Sequence, residues 1–428
     1  MAQAREKLVN HPSETAGAEW RRHWPLVAAT TGGMSLAALL TSVFGVMLGP
    51  IEEELGWTRA QISSGPAVVS MMGLVLAAPA GYLIDKLGAR RAGIVVLACS
   101  FLAIMAMSQV GTQLWQWWAA WAIFGIAGAF TSTVWLAPVS AVFAKGRGMA
   151  IALTVSGTGI SMAIAPPLAE HFVQNGGWRW GLFVLGLIWC AIVLPLVLAF
   201  VPRVPAKPKA ATPANQATVA RLGGLSPREG FLTRDFYLLF FASLLSAVTG
   251  VAIILNLVPV LTFTGLSRAD AVWIAGGMGI ASIIGRLIGG WLMDRYDVRR
   301  LAVYASLVSV AFPVGLIAFP GVTWAAAAAV IAYGLTGGMK MNAVVYLVST
   351  HLGPRSFGLF YGTISTTTTV AMGLGPLFAN HIFDVTQSYW PVIWAAVPGF
   401  LASAVLFAII GPARDFRAPG GSGAPEGR

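Results

Sequence analysis

The chain is a series of apolar segments of about 20 residues, separated by short polar or charged turns. A helix of that length is what the hydrocarbon of a bilayer requires, because it satisfies its own backbone hydrogen bonds. The pattern predicts twelve membrane-spanning helices, at residues 25–48, 63–84, 92–110, 114–138, 148–171, 179–200, 236–262, 270–293, 301–319, 323–350, 356–380 and 391–412. A polar arm (1–24) precedes them and a tail (413–428) follows.

Composition agrees with an all-α membrane protein. Apolar residues make up 57% of the 428, and charged residues only 10%, against about 25% in soluble proteins. The sequence contains no phosphate-binding GxxxxGK[ST] loop and no His/Asp/Cys grouping suited to catalysis, so we expect neither an enzyme nor a cofactor. The two cysteines, Cys99 and Cys190, fall in predicted spans and are expected to be small buried apolar residues.

Basic residues set the predicted orientation. With a cytoplasmic N-terminus, the predicted inner segments hold most of the 27 lysines and arginines, and the outer ones hold only Arg59, Arg179 and Arg268. Both termini are therefore predicted to be cytoplasmic. The net charge of +11 is explained by helix flanks that attract anionic lipid, so no nucleic-acid partner is expected. A polar start argues against a cleaved signal peptide, and a bacterial inner (plasma) membrane and a monomer are expected.

An internal repeat divides the spans into two groups. The segment 81–91, GYLIDKLGARR, returns as GWLMDRYDVRR at 290–300, with Gly, Leu, Asp and a basic pair at the same spacing. The predicted organisation is a six-helix half (25–200), a Pro- and Ala-rich cytoplasmic linker (201–235) and a second six-helix half (236–412).

The first copy of this repeat resembles the loop motif of the major facilitator superfamily, carried here by Gly81, Asp85, Gly88, Arg90 and Arg91. Its second copy, with Asp294 and Arg295, lies between spans 8 and 9 as it does in that family. Segments 143–152 (FAKGRGMAIA) and 56–60 (GWTRA) are similar to the monocarboxylate transporter and oxalate–formate antiporter branch. The resemblance implies a major facilitator fold with a central cavity, and transport by alternating access.

The loop motif has a mechanical interpretation. Asp85, at the cytoplasmic end of span 2, can face the positive end of a neighbouring helix and pair with Arg90 or Arg91. Such a contact would hold the cytoplasmic side closed. The alternative is that these charges are solvated helix flanks.

Two cations interrupt otherwise uncharged spans. Arg286 lies eight residues before Asp294, and Lys340 lies eleven residues before His351, so both are predicted near the middle of the membrane. An arginine there costs about 2.5–3.5 kcal/mol on insertion scales. Of the sixteen acids only Glu170 is expected inside a span, so the simplest counter-ion is a bound anion. Arginine also offers two parallel donors that match a carboxylate.

Alternatives to an anion site remain at this point. Arg286 can be structural, bonded to carbonyl groups and to Ser282 or Ser246, and Lys340 can line a cytoplasmic vestibule. The resemblance itself is incomplete, because animal members of the branch have an acid at the position of Ser282 and a lysine near Ser42. Polar or aromatic neighbours predicted to complete a substrate pocket are Asn256, Ser282, Thr367, Tyr361, Trp135 and Ser42.

The predicted function is secondary transport of a small organic anion, most simply a carboxylate, by proton-coupled symport. Glu170 and His171 are the candidate proton carriers, because a carrier must change its protonation between states. Exchange of two anions needs no titrating residue and stays open, so the second partner is either protons or a counter-anion. Efflux of a larger hydrophobic compound is the further alternative.

Overall fold

The computed structural model describes residues 16–143, 146–202, 225–293, 295–353 and 356–411, and these form thirteen helical elements. Elements of the first half of the chain are α1 (Ala16–Leu55), α2 (Arg59–Leu87), α3 (Ala89–Ser108), α4 (Leu114–Val142) and α5 (Arg147–Phe200). Those of the second half are α6 (Pro227–Phe231), α7 (Arg234–Ile254), α8 (Leu257–Phe263), α9 (Arg268–Met293), α10 (Val298–Ala318), α11 (Thr323–His351), α12 (Phe357–Thr386) and α13 (Trp390–Ala408).

Each of the twelve predicted spans falls on these helices. Among the described residues, eight helices are long and apolar enough to cross a membrane, with the broken helix α5 counted once. The all-helical prediction is thus confirmed. The boundaries of the predicted arm, linker and tail stay a prediction, because most of those residues lie outside the described ranges.

Two breaks differ from the predicted spans. Spans 5 and 6 are continuous helix up to Gly177, where φ 79° and ψ 171° interrupt α5 in a conformation that favours glycine. Span 7 is divided at Leu255 and Asn256 into α7 and α8. Pro259 explains the second break, because it has no N–H to donate to the Leu255 carbonyl one turn earlier.

The described residues form two compact units, and the predicted division into two six-helix halves stays a prediction. Of the described residues, the first contains those of 16–43 and 75–202, and the second contains those of 44–74 and 225–411. The hairpin 44–74, made by the end of α1 and the start of α2, therefore packs with the second half of the chain. Sequence repeats cannot predict this exchange, because it depends on packing between segments distant along the chain.

Small residues allow the helices of each unit to approach closely. In the second unit, Gly285 and Gly338 leave no room for a Cβ, because the carbonyl oxygens of Leu335 and Ser282 occupy that space. This seam joins α9 to α11 along their backbones. Membrane helices favour such contacts, since small residues increase van der Waals packing where no hydrophobic effect drives association.

Candidate functional site

The two predicted cations lie on either side of the α9–α11 seam. Gly285 precedes Arg286 on α9, and Gly338 lies two residues before Lys340 on α11. Asn342 adds a hydrogen bond across the seam, from Nδ2 to the backbone carbonyl of Arg286 (3.0 Å). The structure therefore holds the backbones of both cationic segments in a fixed relation.

Lys340 is the more buried of the two, with 8% of its surface exposed. Its Nζ donates to Ser246 Oγ of α7 at 2.9 Å. The ammonium also lies 5.0 Å from the ring centre of Phe400 and 5.5 Å from that of Tyr333, distances at which aromatic faces attract a cation. Within the described residues, no carboxylate oxygen lies within 4.0 Å of this ammonium.

The sequence suggested Ser246 as a possible partner of Arg286, but in the structure Ser246 bonds to Lys340. Its hydroxyl oxygen accepts from Lys340, while Ser282 contributes a backbone carbonyl that packs against Gly338. The Arg286 side chain is half-buried. The position of Arg286 on α9 is compatible with an anion site. That site stays a prediction.

Other predicted contacts in the second unit are dispersed. Asn256 is fully buried between α7 and α8, where its Oδ1 accepts from Asn380 Nδ2 at 2.8 Å. Thr367 is buried, and its hydroxyl donates to the Ile364 carbonyl of its own helix. Tyr361 stacks on Phe357 with ring centres 5.6 Å apart, beside the apolar core between α7, α11 and α12.

Two predicted contacts belong to the first unit. The ring of Trp135 is fully buried and fills the space beside Gly33 of α1 and Gly93 of α3. Its Nε1 has no hydrogen-bond partner among the described residues. Ser42 is half-buried, and its hydroxyl donates to the Ala38 carbonyl at 2.8 Å. In this structure Trp135 is therefore part of the packing of α1, α3 and α4.

The predicted proton carriers differ in environment although they are adjacent. Glu170 is buried in α5, and its Oε1 accepts from Gln174 Nε2 at 2.9 Å. His171 is exposed, and its ring lies against Phe172. The structure thus buries one candidate and exposes the other, and both stay predictions.

Parts of the loop motif are visible. Gly88 separates α2 from α3 at φ 76°, a value that favours glycine. Arg90 donates to the Leu198 carbonyl at the end of α5, whereas Arg91 is exposed. In the second copy, the guanidinium of Arg295 lies 4.0 Å from the ring centre of Trp291. Asp294, the surroundings of Gly81 and the side chain of Asp85 lie outside the described part of the molecule.

A polar cluster that the sequence interpretation missed lies at the hairpin 44–74. We call it the Asp384 cluster, and its members are Glu52, Arg59, Ser63, Asn256, Asn380, Asp384 and Tyr389. At its centre Asn380 donates to Ser63 and Asn256, and accepts from the Tyr389 hydroxyl at 2.8 Å. Burial raises the pKa of Tyr389 to about 12, so its hydroxyl stays protonated and able to donate at neutral pH. The sequence feature that could have indicated this cluster is Asn380, a polar amide inside a predicted span.

Comparisons with known proteins agree with this architecture. The family model of the Major Facilitator Superfamily matches residues 30–376 and residues 239–427. Monocarboxylate transporter 12 of Mus musculus is 23% identical over 352 residues, which cover 74% of this chain and 70% of that protein. Monocarboxylate transporter 13 of Rattus norvegicus is 25% identical over 320 residues, with coverages of 72% and 70%.

A solved structure shows the same fold. The nucleoside transporter NupG superposes with a TM-score of 0.69, covering 90% of this chain and 99% of that chain. Sequence identity is 14%, so the likeness concerns the arrangement of helices and not the substrate.

Proposed function

The chain belongs to the major facilitator superfamily and is a multi-pass secondary transporter, and from this premise we propose that it carries a small organic anion. The observation that carries the proposal is the pair of cations on α9 and α11. Arg286 and Lys340 follow the glycines of one helix seam, and the described surroundings of Lys340 supply a hydroxyl and two aromatic rings instead of a carboxylate. A carboxylate substrate would supply the missing counter-charge.

The names of the relatives support a carboxylate as the class of substrate. Monocarboxylate transporters 12 and 13 are named for carboxylates, and their similarity extends over most of this chain. In the proposed site Arg286 offers the planar pair of donors that fits one carboxylate, and Lys340 offers a point charge. Ser282, Tyr361, Thr367 and Asn256, which belong to the same compact unit as the two cations, are proposed as further contacts.

We propose proton-coupled symport, with Glu170 as the proton carrier and His171 as an exposed neighbour that assists it. Support comes from the burial of the Glu170 side chain in the apolar helix α5. The proposed location is the plasma membrane, with both termini cytoplasmic and the motif of Asp85, Arg90 and Arg91 closing the cytoplasmic side. The concentration of basic residues on one side supports this orientation.

A thermal-shift panel of mono-, di- and aromatic carboxylates, at two pH values, tests the anion site. A ligand that binds the folded protein raises the unfolding midpoint by mass action. We expect a carboxylate to stabilise the wild-type protein and Arg300→Gln, which loses an exposed cation, but not Arg286→Gln. Stabilisation of Arg286→Gln to the same extent would contradict the site, and a response only to hydrophobic compounds would favour efflux.

Transport in proteoliposomes tests the coupling. For symport, an inward proton gradient drives uptake of the anion found in the panel, and Glu170→Gln abolishes this response while retaining exchange between inner and outer anion. Uptake that depends on a trapped counter-anion and ignores the proton gradient would establish antiport instead.

A further inference from the structure

The hairpin 44–74 is where helices pass from one compact unit to the other. Residues 44–55 of α1 and 59–74 of α2 pack with the second unit, whereas the remainder of both helices belongs to the first. Polar bonds and close packing join this hairpin to α12 within the second unit. The Asp384 cluster supplies the polar contacts between the start of α2 and α12.

Asp384, near the end of α12, binds the start of α2. Its Oδ1 accepts from the backbone N–H of Arg59 at 3.1 Å, and its Oδ2 accepts from the backbone N–H of Ala60 at 2.8 Å. The first N–H groups of a helix have no partner within that helix, and a carboxylate there also faces the positive end of the helix dipole. Both oxygens of a single carboxylate thus bind the terminus of a helix more than 300 positions away in the sequence.

The Arg59 side chain adds a second attachment. Its Nε donates to Glu52 Oε2 at 2.8 Å within the hairpin, and its Nη1 donates to the Tyr389 hydroxyl at 3.1 Å. Its guanidinium carbon lies 3.8 Å from the ring centre of Phe383. Burial lowers the pKa of Arg59, but its interactions with Tyr389 and Glu52 outweigh burial and raise the pKa, so the cation persists.

Deeper along the hairpin the contact becomes close packing. Ser63 accepts from Asn380, and Ser70 lies directly against Gly373, where a Cβ would come 2.8 Å from the serine hydroxyl. On α1, the Val46 carbonyl accepts from Arg268 at 2.9 Å. Polar bonds are thus concentrated at the loop end of the hairpin, and small residues continue the contact along α2 and α12.

We propose that the Asp384 cluster is a releasable attachment of the hairpin, and that Asp384 is the positioning residue that sets how often the hairpin separates from α12. A secondary transporter must expose its site alternately to the two sides of the membrane, which requires some helix contacts to form and break in each cycle. Charged and polar bonds between a helix terminus and a side chain can exchange for water, whereas a dry apolar core cannot. This proposal is independent of the substrate.

The rate of thiol labelling at Ser70→Cys tests the proposal, in protein whose Cys99 and Cys190 are replaced by alanine. Ser70 is buried against α12, so N-ethylmaleimide reaches a cysteine there only when the hairpin separates. In purified full-length protein in detergent, we expect Asp384→Ala to raise the labelling rate about tenfold, because two charge-assisted hydrogen bonds are lost. Asp384→Asn should raise it too, and Asp384→Glu should raise it less.

Asp270→Ala is the matched control, since it removes another carboxylate that accepts from Ser267 at the start of a helix, α9, without touching the hairpin. Its labelling rate should equal that of the parent. The proposal is wrong if Asp384→Ala, eluting as a folded species, labels at the parent rate, or if Asp270→Ala labels equally fast. Should Asp384→Ala fail to fold, Asp384→Asn decides by the same comparison, because it preserves the side-chain volume.

Discussion

The ammonium of Lys340 on α11 lies 2.9 Å from the hydroxyl oxygen of Ser246 on α7. This bond joins two helices of the second unit inside an apolar interior, with the rings of Tyr333 and Phe400 beside the cation. A hydroxyl and two rings solvate an ammonium less completely than water does. Burial of the Lys340 ammonium in this environment therefore costs folding free energy.

Replacing Lys340 by methionine should separate stability from binding. Methionine has a similar length and no charge, and exchanging buried charges for apolar groups is often neutral or stabilising by about 1–4 kcal/mol. We expect the unfolding midpoint of Lys340→Met to stay equal or rise, while stabilisation by carboxylates falls strongly. A marked loss of stability together with normal ligand response would show that Lys340 is structural.

Arginine and lysine should not be interchangeable at position 286. Arg286→Lys keeps the charge but loses the planar pair of donors, so the carboxylate affinity should fall about tenfold, or about 1.4 kcal/mol. Titration of the thermal shift with the carboxylate from the panel measures this change. Equal carboxylate affinity of the wild-type protein and Arg286→Lys would mean that binding depends only on the positive charge. A total loss of binding, as expected for Arg286→Gln, would mean that the length of the side chain is also required.

The α9–α11 seam should not tolerate a methyl group at Gly338. A Cβ there meets the Ser282 carbonyl oxygen and the Arg286 amide nitrogen, both backbone atoms, so the helices must separate. We expect Gly338→Ala to lower stability by about 1–3 kcal/mol, as overpacking does. The measurement is the thermal unfolding midpoint of the purified protein.

Gly337→Ala is the neighbouring control, because the nearest atom to its Cβ is a Tyr333 ring carbon at 4.0 Å. It should be neutral or stabilising by about 0.5–1 kcal/mol, since alanine restricts the unfolded chain more than glycine does. Equal destabilisation by the two substitutions would contradict the close backbone contact.

Asn380 should be the most sensitive polar position of the Asp384 cluster. Asn380→Leu removes the partner of Ser63, Asn256 and Tyr389 at once, and each buried polar group without a partner costs about 1–3 kcal/mol. We expect a clear fall in the unfolding midpoint. Asn175→Leu, at an exposed site bonded only to the His171 carbonyl in the described residues, should change it little.

The sequence by itself determined the solvent, the helices and the family. An apolar segment long enough to cross the hydrocarbon of a bilayer can satisfy its backbone hydrogen bonds there as a helix. The twelve spans therefore followed from local composition. The loop motif at 81–91 and its copy at 290–300 then indicated the superfamily. Arg286 and Lys340 stood out for the same local reason, as charges inside apolar runs.

Only the tertiary structure decided which polar groups meet. Lys340 contacts Ser246, which lies 94 positions away, and Asn256 pairs with Asn380 in the Asp384 cluster. Trp135 fills packing space in the first unit, and the hairpin 44–74 joins the second. Contacts between residues so far apart in the sequence depend on which helix faces pack together. Helical periodicity in the sequence predicts the face of a helix but not the helix that packs against it.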